Sequence, residues 1–376
     1  MHFDLFYELS VPDQLGCSEQ QIFSQALDEI RLADSLDYKT AWLVEHHYMK
    51  GYSHSSAPEL FLAALSQRTK KIRLGHAIVP LPYNHPIRVA ERAATLDILS
   101  NGRLEFGFGR GFSPKEYDSF GVAMSDSRTI TQESFEIIKK SFAGDAINYE
   151  GKHYNLHDIE LFPKVLQQPH PPLWTAAVSP SSYEMAAQLG IGAMVGPFKP
   201  WFMVKEDIKL YRRSWSKFHS QINTQASKDT NTTVQTATNN PALNPKVAMT
   251  VGILCLEDEK RAHEIGKPAF EWFYRNLLQQ TSPVLKNLHE SYEYYKSIGK
   301  FQGLLSKTVN LKVLETFGLV IVGNPEHCVK KLKKLEAASV DHVLLAIGAG
   351  AIDTAVVKES MQLINDQVIP HFKHSD

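Results

Sequence analysis

A glutamate and two histidines, Glu45, His46 and His47, directly follow an apolar run that ends at Val44. An apolar run that stops at ionisable residues is typical of a parallel strand with polar side chains at its carboxyl end. An imidazole there can act as a general base near neutral pH, and a neighbouring carboxylate can orient it or contact a ligand. Adjacent residues on a strand point to opposite faces, so the two histidines cannot bind one metal and we expect no metal site.

Arginine and serine residues at the ends of two later strands predict an anion site. Arg110 follows the apolar run Leu104–Phe108, and a guanidinium in this position is suited to bidentate binding of a phosphate. Ser179 and Ser182 lie where another strand passes into a helix, and hydroxyl and free N–H groups at a helix N-terminus favour anions. A surface ion pair and simple N-capping are the alternatives. Together these residues predict a two-sided phosphate clamp on a cofactor.

The elements that would position these residues alternate between strand and helix. Eight such steps, with strands that pair in parallel, predict a (β/α)₈ TIM barrel whose chemistry lies at the carboxyl ends of the strands. A doubly wound sheet is the rival fold, but it normally carries a glycine-rich phosphate fingerprint after its first strand, and residues 8–18 have none. The predicted strands are His2–Leu9, Lys39–Val44, Ile72–Val79, Leu104–Gly109, Pro172–Ala177, Ala193–Val195, Val247–Cys255 and Asp341–Ile347.

Three segments interrupt the alternation. Tyr149–Leu156 has a glycine at its centre and predicts a small hairpin. Residues 221–245 are almost entirely small and polar, which predicts a flexible loop. Residues 257–317 are rich in Tyr and Phe and too long for one barrel helix, so we expect a helical insertion after strand seven that covers the rim as a lid.

The composition excludes several classes of protein. The 376 residues carry 40 Lys plus Arg and 41 Asp plus Glu, and this near-neutral balance argues against a general nucleic-acid or membrane-surface binder. No apolar stretch is long enough to span a membrane. The three cysteines, Cys17, Cys255 and Cys328, are far apart and odd in number. This pattern argues against a disulfide scaffold and favours a reducing compartment, so we expect a cytoplasmic protein.

A series of motifs in the same order resembles the bacterial luciferase-like flavin monooxygenases. The resemblance covers most of the chain, apart from the polar loop and much of the insertion, and implies one luciferase-like barrel domain over residues 1–376. The motifs are Ala41–Tyr48, Ala63–Thr69, Ile72–Ala77, Leu81–Pro86, Leu96–Leu104, Gly107–Gly111, Val322–Glu326 and Asp341–Leu345.

The resemblance implies roles for individual residues. His46 matches the histidine taken as the catalytic base, and Glu45 beside it lies near the flavin. Ala77 and Ile78 match a non-proline cis peptide beneath the flavin ring. The positions that match phosphate-binding residues are Arg110, Ser179 and Ser182.

The implied function is a two-component monooxygenase that uses reduced FMN and O₂ to oxygenate a small apolar or carbonyl-containing molecule. No nicotinamide fingerprint is present, so a separate flavin reductase would supply the reduced FMN. Val178 and Gly109 stand where light-emitting members carry an acid and a cysteine, so we expect no luminescence. The alternatives are a deazaflavin-dependent oxidoreductase and a non-catalytic flavin-binding protein. Members of this family often form dimers, so a homodimer is also possible.

Overall fold

Eight parallel strands close into a barrel in the computed structural model, which describes residues 1–219, 240–288, 303, 309–350 and 352–372. Each strand pairs in parallel with its neighbours, and the seventh pairs with both the sixth and the eighth, which closes the ring. The predicted (β/α)₈ fold is confirmed. The barrel strands are β1 His2–Tyr7, β2 Thr40–Leu43, β3 Arg73–His76, β4 Leu104–Gly109, β5 Leu173–Ala176, β6 Gly192–Val195, β7 Val247–Cys255 and β8 His342–Ala346.

Helices connect the strands, and several begin where the sequence places a helix-starting residue. Ser18 forms the predicted capping box with Gln21, and Pro58 and Pro86 occupy the first turns of their helices. No helix in the described residues is both long and apolar enough to cross a membrane. The helices are Glu19–Ser35, Pro58–Ser66, Pro86–Leu99, Pro114–Ser119, Ser127–Ala143, Pro180–Leu189, Trp201–His219, Glu259–Leu288, Leu311–Thr316, Pro325–Ala337 and Thr354–Leu363.

Two tryptophans fill the barrel interior below the rim. The rings of Trp42 and Trp174 meet edge to face with centroids 5.6 Å apart, and both are fully buried. Each indole lies over a glycine of the neighbouring strand, since a Cβ at Gly75 would approach Trp42 to 2.1 Å and one at Gly192 would approach Trp174 to 2.4 Å. Two strands therefore lack side chains at these positions so that the rings can pack.

The indole nitrogens of these tryptophans are satisfied by buried acids. Trp42 donates to Asp4 over 2.8 Å, and Trp174 donates to Glu105 over 2.6 Å. The same oxygen of Asp4, Oδ2, also lies 2.8 Å from Nδ1 of His342. These buried side chains fill part of the barrel interior, so we expect an organic ligand to bind at the carboxyl-terminal mouth.

The third predicted strand is divided in the structure. β3 ends at His76, the peptide bond between Ala77 and Ile78 is cis, and pairing resumes in the short strand Val79–Pro80. This short strand pairs with the end of β4, where Val79 lies beside Phe108. The rim between β3 and β4 is therefore formed by an irregular backbone.

The segment between β7 and β8 contains an element that the sequence did not predict. The strand Val320–Gly323 pairs with the second half of β7, while the first half of β7 pairs with β6. The predicted helical insertion at residues 257–317 contains the helix Glu259–Leu288 and the short helix Leu311–Thr316. Residues 289–302 and 304–308 lie outside the described part, so its role as a lid stays a prediction.

The other two predicted interruptions have different outcomes. The hairpin is present, formed by the antiparallel strands Ile147–Glu150 and Asn155–Ile159. The predicted flexible loop at residues 221–245 lies largely outside the described residues, which resume at residue 240.

Candidate active site

The residues with predicted roles follow successive strands at one end of the barrel. Glu45 and His46 follow β2, the cis peptide Ala77–Ile78 follows β3, and Arg110 follows β4. Ser179 and Ser182 follow β5 and begin the helix Pro180–Leu189. Because all eight strands are parallel, these positions share the carboxyl-terminal rim.

His46 lies between two buried carboxylates. Its Nδ1 is 3.5 Å from Glu116 Oε1, and its Nε2 is 4.0 Å from Glu8 Oε2. The Glu116 side chain is fully buried and that of Glu8 is 7% exposed. These separations are long for hydrogen bonds, so the contacts are mainly electrostatic. The ring of Phe112 packs edge to face against the imidazole at 5.2 Å and fixes its orientation from the side.

Glu116 ties three loops of the rim together. Its Oε1 accepts a hydrogen bond from the amide of His47 over 2.7 Å, and its Oε2 accepts one from the Tyr83 hydroxyl over 2.8 Å. Glu116 lies on the helix Pro114–Ser119 after β4, His47 follows β2 and Tyr83 follows β3. The carboxylate therefore holds the loop that carries His46 against its neighbours.

The histidine and the two carboxylates alter one another's protonation. Burial disfavours the imidazolium of His46, but the carboxylates of Glu116 and Glu8 outweigh burial and raise its pKa. Burial also opposes ionisation of Glu116, yet contacts with His46 and the amide of His47 hold the pKa of Glu116 below its usual value. At Glu8 burial dominates and raises the pKa. Opposite shifts of two acids around one histidine are typical of sites that move protons.

Glu45 does not contact His46 in the way that the sequence suggested. Its Oε1 accepts a hydrogen bond from Asn84 over 2.8 Å and lies 3.4 Å from Nε2 of His47. Glu8 and Glu116 are the carboxylates nearest the imidazole, and neither was identified from the sequence. Glu8 follows directly on β1 in the structure, but the predicted strand His2–Leu9 included it, so the rule that singled out Glu45 did not select it. Glu116 lies on a six-residue helix with no strand-end signal.

The glycines of β4 allow its backbone to approach β3 closely. A Cβ at Gly107 would lie 2.0 Å from the carbonyl oxygen of His76, and one at Gly109 would lie 3.0 Å from the Ile78 side chain. This agrees with close backbone approach as the reason for glycine in this strand. The cis peptide Ala77–Ile78 therefore faces the mouth without a side chain from β4 in front of it.

Arg110 is half-buried and carries a charge that the described residues leave unpaired. Its carbonyl oxygen accepts a hydrogen bond from the Tyr117 hydroxyl, whereas its guanidinium has no hydrogen-bond or ion-pair partner in the described part of the chain. A partly buried guanidinium without a partner is costly unless an anion binds to it. Arg110 is thus free to hold an anionic group at the mouth.

Ser179 and Ser182 follow the next strand round the barrel, β5, and lie at the start of the helix Pro180–Leu189. Phe108 of β4 pairs with Thr175 of β5, so Arg110 and Ser179 follow neighbouring strands at similar height. The Ser182 hydroxyl accepts from the amides of Val178 and Ser179 at 3.0 and 2.9 Å and thus caps the helix. Ser179 is the N-cap of this helix and forms a capping box with Ser182, and its hydroxyl also lies 3.0 Å from that of Ser181. The N-capping alternative therefore holds for both serines.

An open pocket leads from the surface to His46. Its volume is about 890 Å³, which is within the range of small-molecule sites. The walls combine apolar side chains near the histidine with polar and charged groups further out. Lining residues include Phe23, Leu27, Tyr48, Met49, Ser53, His54 and Lys115.

Comparison with known proteins places this arrangement in a family. The family described as luciferase-like monooxygenase matches residues 1–342. The alkanal monooxygenase alpha chain of the Kryptophanaron alfredi symbiont is 23% identical over 377 residues, covering 99% of both chains. The oxygenase component of the flavin-dependent trigonelline monooxygenase of Acinetobacter baylyi is 34% identical, but over 52% of this chain and 54% of that protein. This chain thus spans only about half of some relatives.

Solved structures agree on the fold. A monooxygenase from Streptomyces bottropensis superimposes with a TM-score of 0.78 at 25% identity, covering 99% of this chain and all of that one. The FMN complex of the oxygenating constituent of 3,6-diketocamphane monooxygenase from Pseudomonas putida has a TM-score of 0.74 at 19% identity, covering 99% of both chains. A coenzyme F420-dependent tetrahydromethanopterin reductase from Methanopyrus kandleri has a TM-score of 0.67 at 21% identity, with the same coverage.

Proposed function

Because this chain belongs to the luciferase-like monooxygenase family, we propose that it is the oxygenase component of a two-component FMN-dependent monooxygenase. Reduced FMN would come from a separate flavin reductase, as the trigonelline relative, itself named an oxygenase component, suggests. The substrate would be a small apolar or carbonyl-containing molecule, oxygenated without light emission. The observation that carries the proposal is the shared rim, where an unpaired guanidinium and an imidazole follow strands β4 and β2 of one barrel.

The described residues fit a phosphorylated flavin. Arg110 offers an unpaired guanidinium, and Ser179 offers a hydroxyl beside a helix N-terminus, so together they would hold the phosphate. Ser182 would support this site mainly by fixing the turn through its capping bonds. The cis peptide Ala77–Ile78, opposite the glycines of β4, would support the ring. When bound, reduced FMN supplies the electrons that activate O₂.

His46 would act as the general base beside the ring. The ring of Phe112 and the carboxylate of Glu116 orient the imidazole, and Glu116 stabilises the positive charge that it gains with a proton. Glu45 would act indirectly, through His47 and Asn84, by holding the rim in place.

Exclusion of water is the remaining requirement of such a site. The pocket that leads to His46 has apolar walls formed in part by Phe23 and Leu27. We propose that the described helices of the insertion after β7, Glu259–Leu288 and Leu311–Thr316, help to shield the mouth from water, since a dry site protects reactive groups from side reactions.

The direct test is the behaviour of photoreduced FMN in the presence of the purified protein. We expect saturable binding of reduced FMN, and we expect the absorbance of oxidised FMN to return more slowly in oxygenated buffer than it does for free FMN. Riboflavin, which lacks the phosphate, should bind far more weakly. Absence of binding, or oxidation at the rate of free FMN, would reject the proposal.

A deazaflavin-dependent oxidoreductase is the second candidate, because enzymes that use coenzyme F420 share this fold. Hydride transfer without O₂ would need neither a dry site nor a reductase partner. Parallel titrations with reduced FMN and with the deazaflavin decide between the two cofactors. Binding of the deazaflavin at tenfold lower concentration than FMN, which corresponds to about 1.4 kcal/mol, would favour this candidate.

A further inference from the structure

Both ring nitrogens of His46 face buried acids, which constrains where protons can lie. A neutral imidazole has one N–H donor and one acceptor nitrogen, whereas an ionised carboxylate can only accept. Nδ1 faces Glu116 at 3.5 Å and Nε2 faces Glu8 at 4.0 Å. If the imidazole were neutral and both acids ionised, one nitrogen lone pair would face a carboxylate oxygen. The arrangement is favourable when one proton lies between Nε2 and Glu8.

The side chain of Glu8 is positioned for this role. Its Oε1 accepts a hydrogen bond from the Tyr52 hydroxyl over 3.0 Å, and the Ser53 hydroxyl donates to its backbone oxygen over 2.8 Å. Its Oε2, the atom that faces His46, is buried and has no hydrogen-bond partner in the described residues. A buried carboxylate oxygen without a partner is costly, unless it carries or receives a proton.

Glu8 lines a second cavity, separate from the open pocket that reaches His46. This cavity has a volume of about 40 Å³, enough for one or two water molecules. Its wall includes a second buried acid, Glu29, which accepts from Tyr7 over 3.1 Å and from Thr354 over 2.7 Å. Burial raises the pKa of Glu29 to about 7. Two buried acids whose pKa values are raised by burial therefore line one small cavity.

We propose that Glu8 is the proton partner of His46 and passes that proton on through the cavity lined by Glu29. This inference rests on the proposed function, in which His46 acts as the base. Each transfer requires the two side chains to close from 4.0 Å to hydrogen-bonding distance. The N–H bond at Nε2 of the imidazolium then breaks and an O–H bond forms at Glu8 Oε2, leaving neutral imidazole and neutral carboxylic acid. Glu8 then loses the proton to water in the cavity and becomes a carboxylate again. Glu8 is a positioning residue, because it acts through His46.

Other ionisable groups also influence the charges of His46 and Glu8. Glu116, on the helix after β4, and Glu45, on the loop that carries His46, both favour the charged form of His46, as Glu8 does. Tyr52 and His46 favour the ionised form of Glu8, and Glu116 opposes it. Glu116 is already committed to the amide of His47 and to Tyr83. Glu8 is therefore the acid that remains available to exchange a proton.

Histidine NMR titration of the ligand-free protein tests the pairing without any flavin. We expect Glu8→Gln to lower the titration midpoint of His46 by about one pH unit or more, because the charge that stabilises the imidazolium is lost. Glu8→Asp keeps the carboxylate and should restore most of the shift. Glu326→Gln, on an exposed face of the helix Pro325–Ala337, should change nothing. An unchanged or raised midpoint in Glu8→Gln would overturn the pairing.

Filling the cavity tests the route separately. Ala26→Val adds two methyl groups to its wall, so we expect hydrogen peroxide release with reduced FMN to slow several-fold while the His46 midpoint stays constant. Unfolding curves verify that the Ala26→Val protein folds. Ala26→Ser introduces a polar side chain that is smaller than valine, so this variant should retain most of the rate. An unchanged rate in a folded Ala26→Val protein would overturn the route. If the parent protein does not bind FMN, the proposed function is rejected. The pairing of Glu8 with His46 is still decided by the NMR titration.

Discussion

At the scale of single residues, one histidine is held by acids from two directions. Glu116 and Glu8 approach opposite nitrogens of His46, and burial makes each charge matter more than it would on the surface. Replacement of His46, Glu116 or Glu8 should therefore alter proton transfer at this site more than it alters the surrounding fold. Predictions at this scale concern rate, pH dependence and cofactor affinity.

The imidazole itself is the first target. We expect His46→Ala to lower turnover by about two orders of magnitude or more, which is the usual contribution of a general base. Affinity for reduced FMN should change little, because in the proposed site Arg110 and Ser179, and not His46, would hold the phosphate. Steady-state kinetics and equilibrium binding measure the two effects. His371→Ala, at an exposed position far along the chain, is the control. Undiminished turnover would remove His46 from the mechanism.

Replacement of Glu116 should shift the pH dependence of the reaction. Glu116 raises the pKa of His46 by stabilising its charged form, so in Glu116→Gln that pKa falls. Since a general base works in its neutral form, the rise of the rate with pH should move to lower pH. The pH profile of oxygen consumption with reduced FMN measures the shift. A profile that keeps its midpoint, or moves to higher pH, would show that Glu116 does not control His46.

The guanidinium of Arg110 should govern affinity for the phosphate alone. A charge-assisted contact of this kind contributes about 1.5–3 kcal/mol, so Arg110→Ala should weaken reduced FMN binding by roughly 10- to 150-fold. Binding of riboflavin should be unchanged. Arg88→Ala removes an exposed arginine paired with Glu91 and is the matched control. Equal losses for FMN and riboflavin would show that Arg110 acts on the ring or on folding.

At the scale of elements, the tightest constraint is the contact between glycine and tryptophan in neighbouring strands. A Cβ at Gly75 would lie 2.1 Å from the Trp42 ring, so Gly75→Ala should lower the free energy of unfolding by roughly 2–3 kcal/mol. Gly348→Ala is the control, since its nearest neighbour would be 3.9 Å away. Urea unfolding measures both. Equal stability of the Gly75 variant and its parent would show that the indole repacks freely.

The strands differ in how far the sequence predicts them. Every barrel strand had been predicted, because each is a run of apolar residues bounded by turn signals or charge. The strand Val320–Gly323 was missed because it depends on pairing with the distant second half of β7. β3 was predicted as one strand, yet its backbone turns at Ala77–Ile78. Features that depend on distant partners are not encoded in local periodicity.

The candidate site shows the same division. Residues directly after strands, such as His46 and Arg110, could be placed on the rim from sequence alone. Glu116 could not, since only the folded path of the loop after β4 brings it to His46. The sequence left open whether Glu45 orients the imidazole or contacts a ligand, and it could not indicate the hydrogen bond that Glu45 accepts from Asn84. The residue types were predictable, whereas the pairs were not.

At the scale of the whole molecule, the barrel has one carboxyl-terminal mouth, and both Arg110 of the proposed anion site and His46 of the proposed proton-transfer site follow strands that end there. The predicted enzyme class, a flavin-dependent monooxygenase, agrees with the family to which the chain belongs and with relatives named as such. The buried tryptophans and acids fill part of the barrel interior, so the proposed cofactor and its substrate would share the mouth. Cofactor orientation therefore decides whether the account is correct.

A crystal structure with bound FMN measures that orientation most directly. We expect the phosphate within hydrogen-bonding distance of the Arg110 guanidinium and the Ser179 hydroxyl, and the flavin ring in contact with the cis peptide Ala77–Ile78 and the imidazole of His46. FMN bound with its phosphate beside His46, or outside the barrel mouth, would contradict the account.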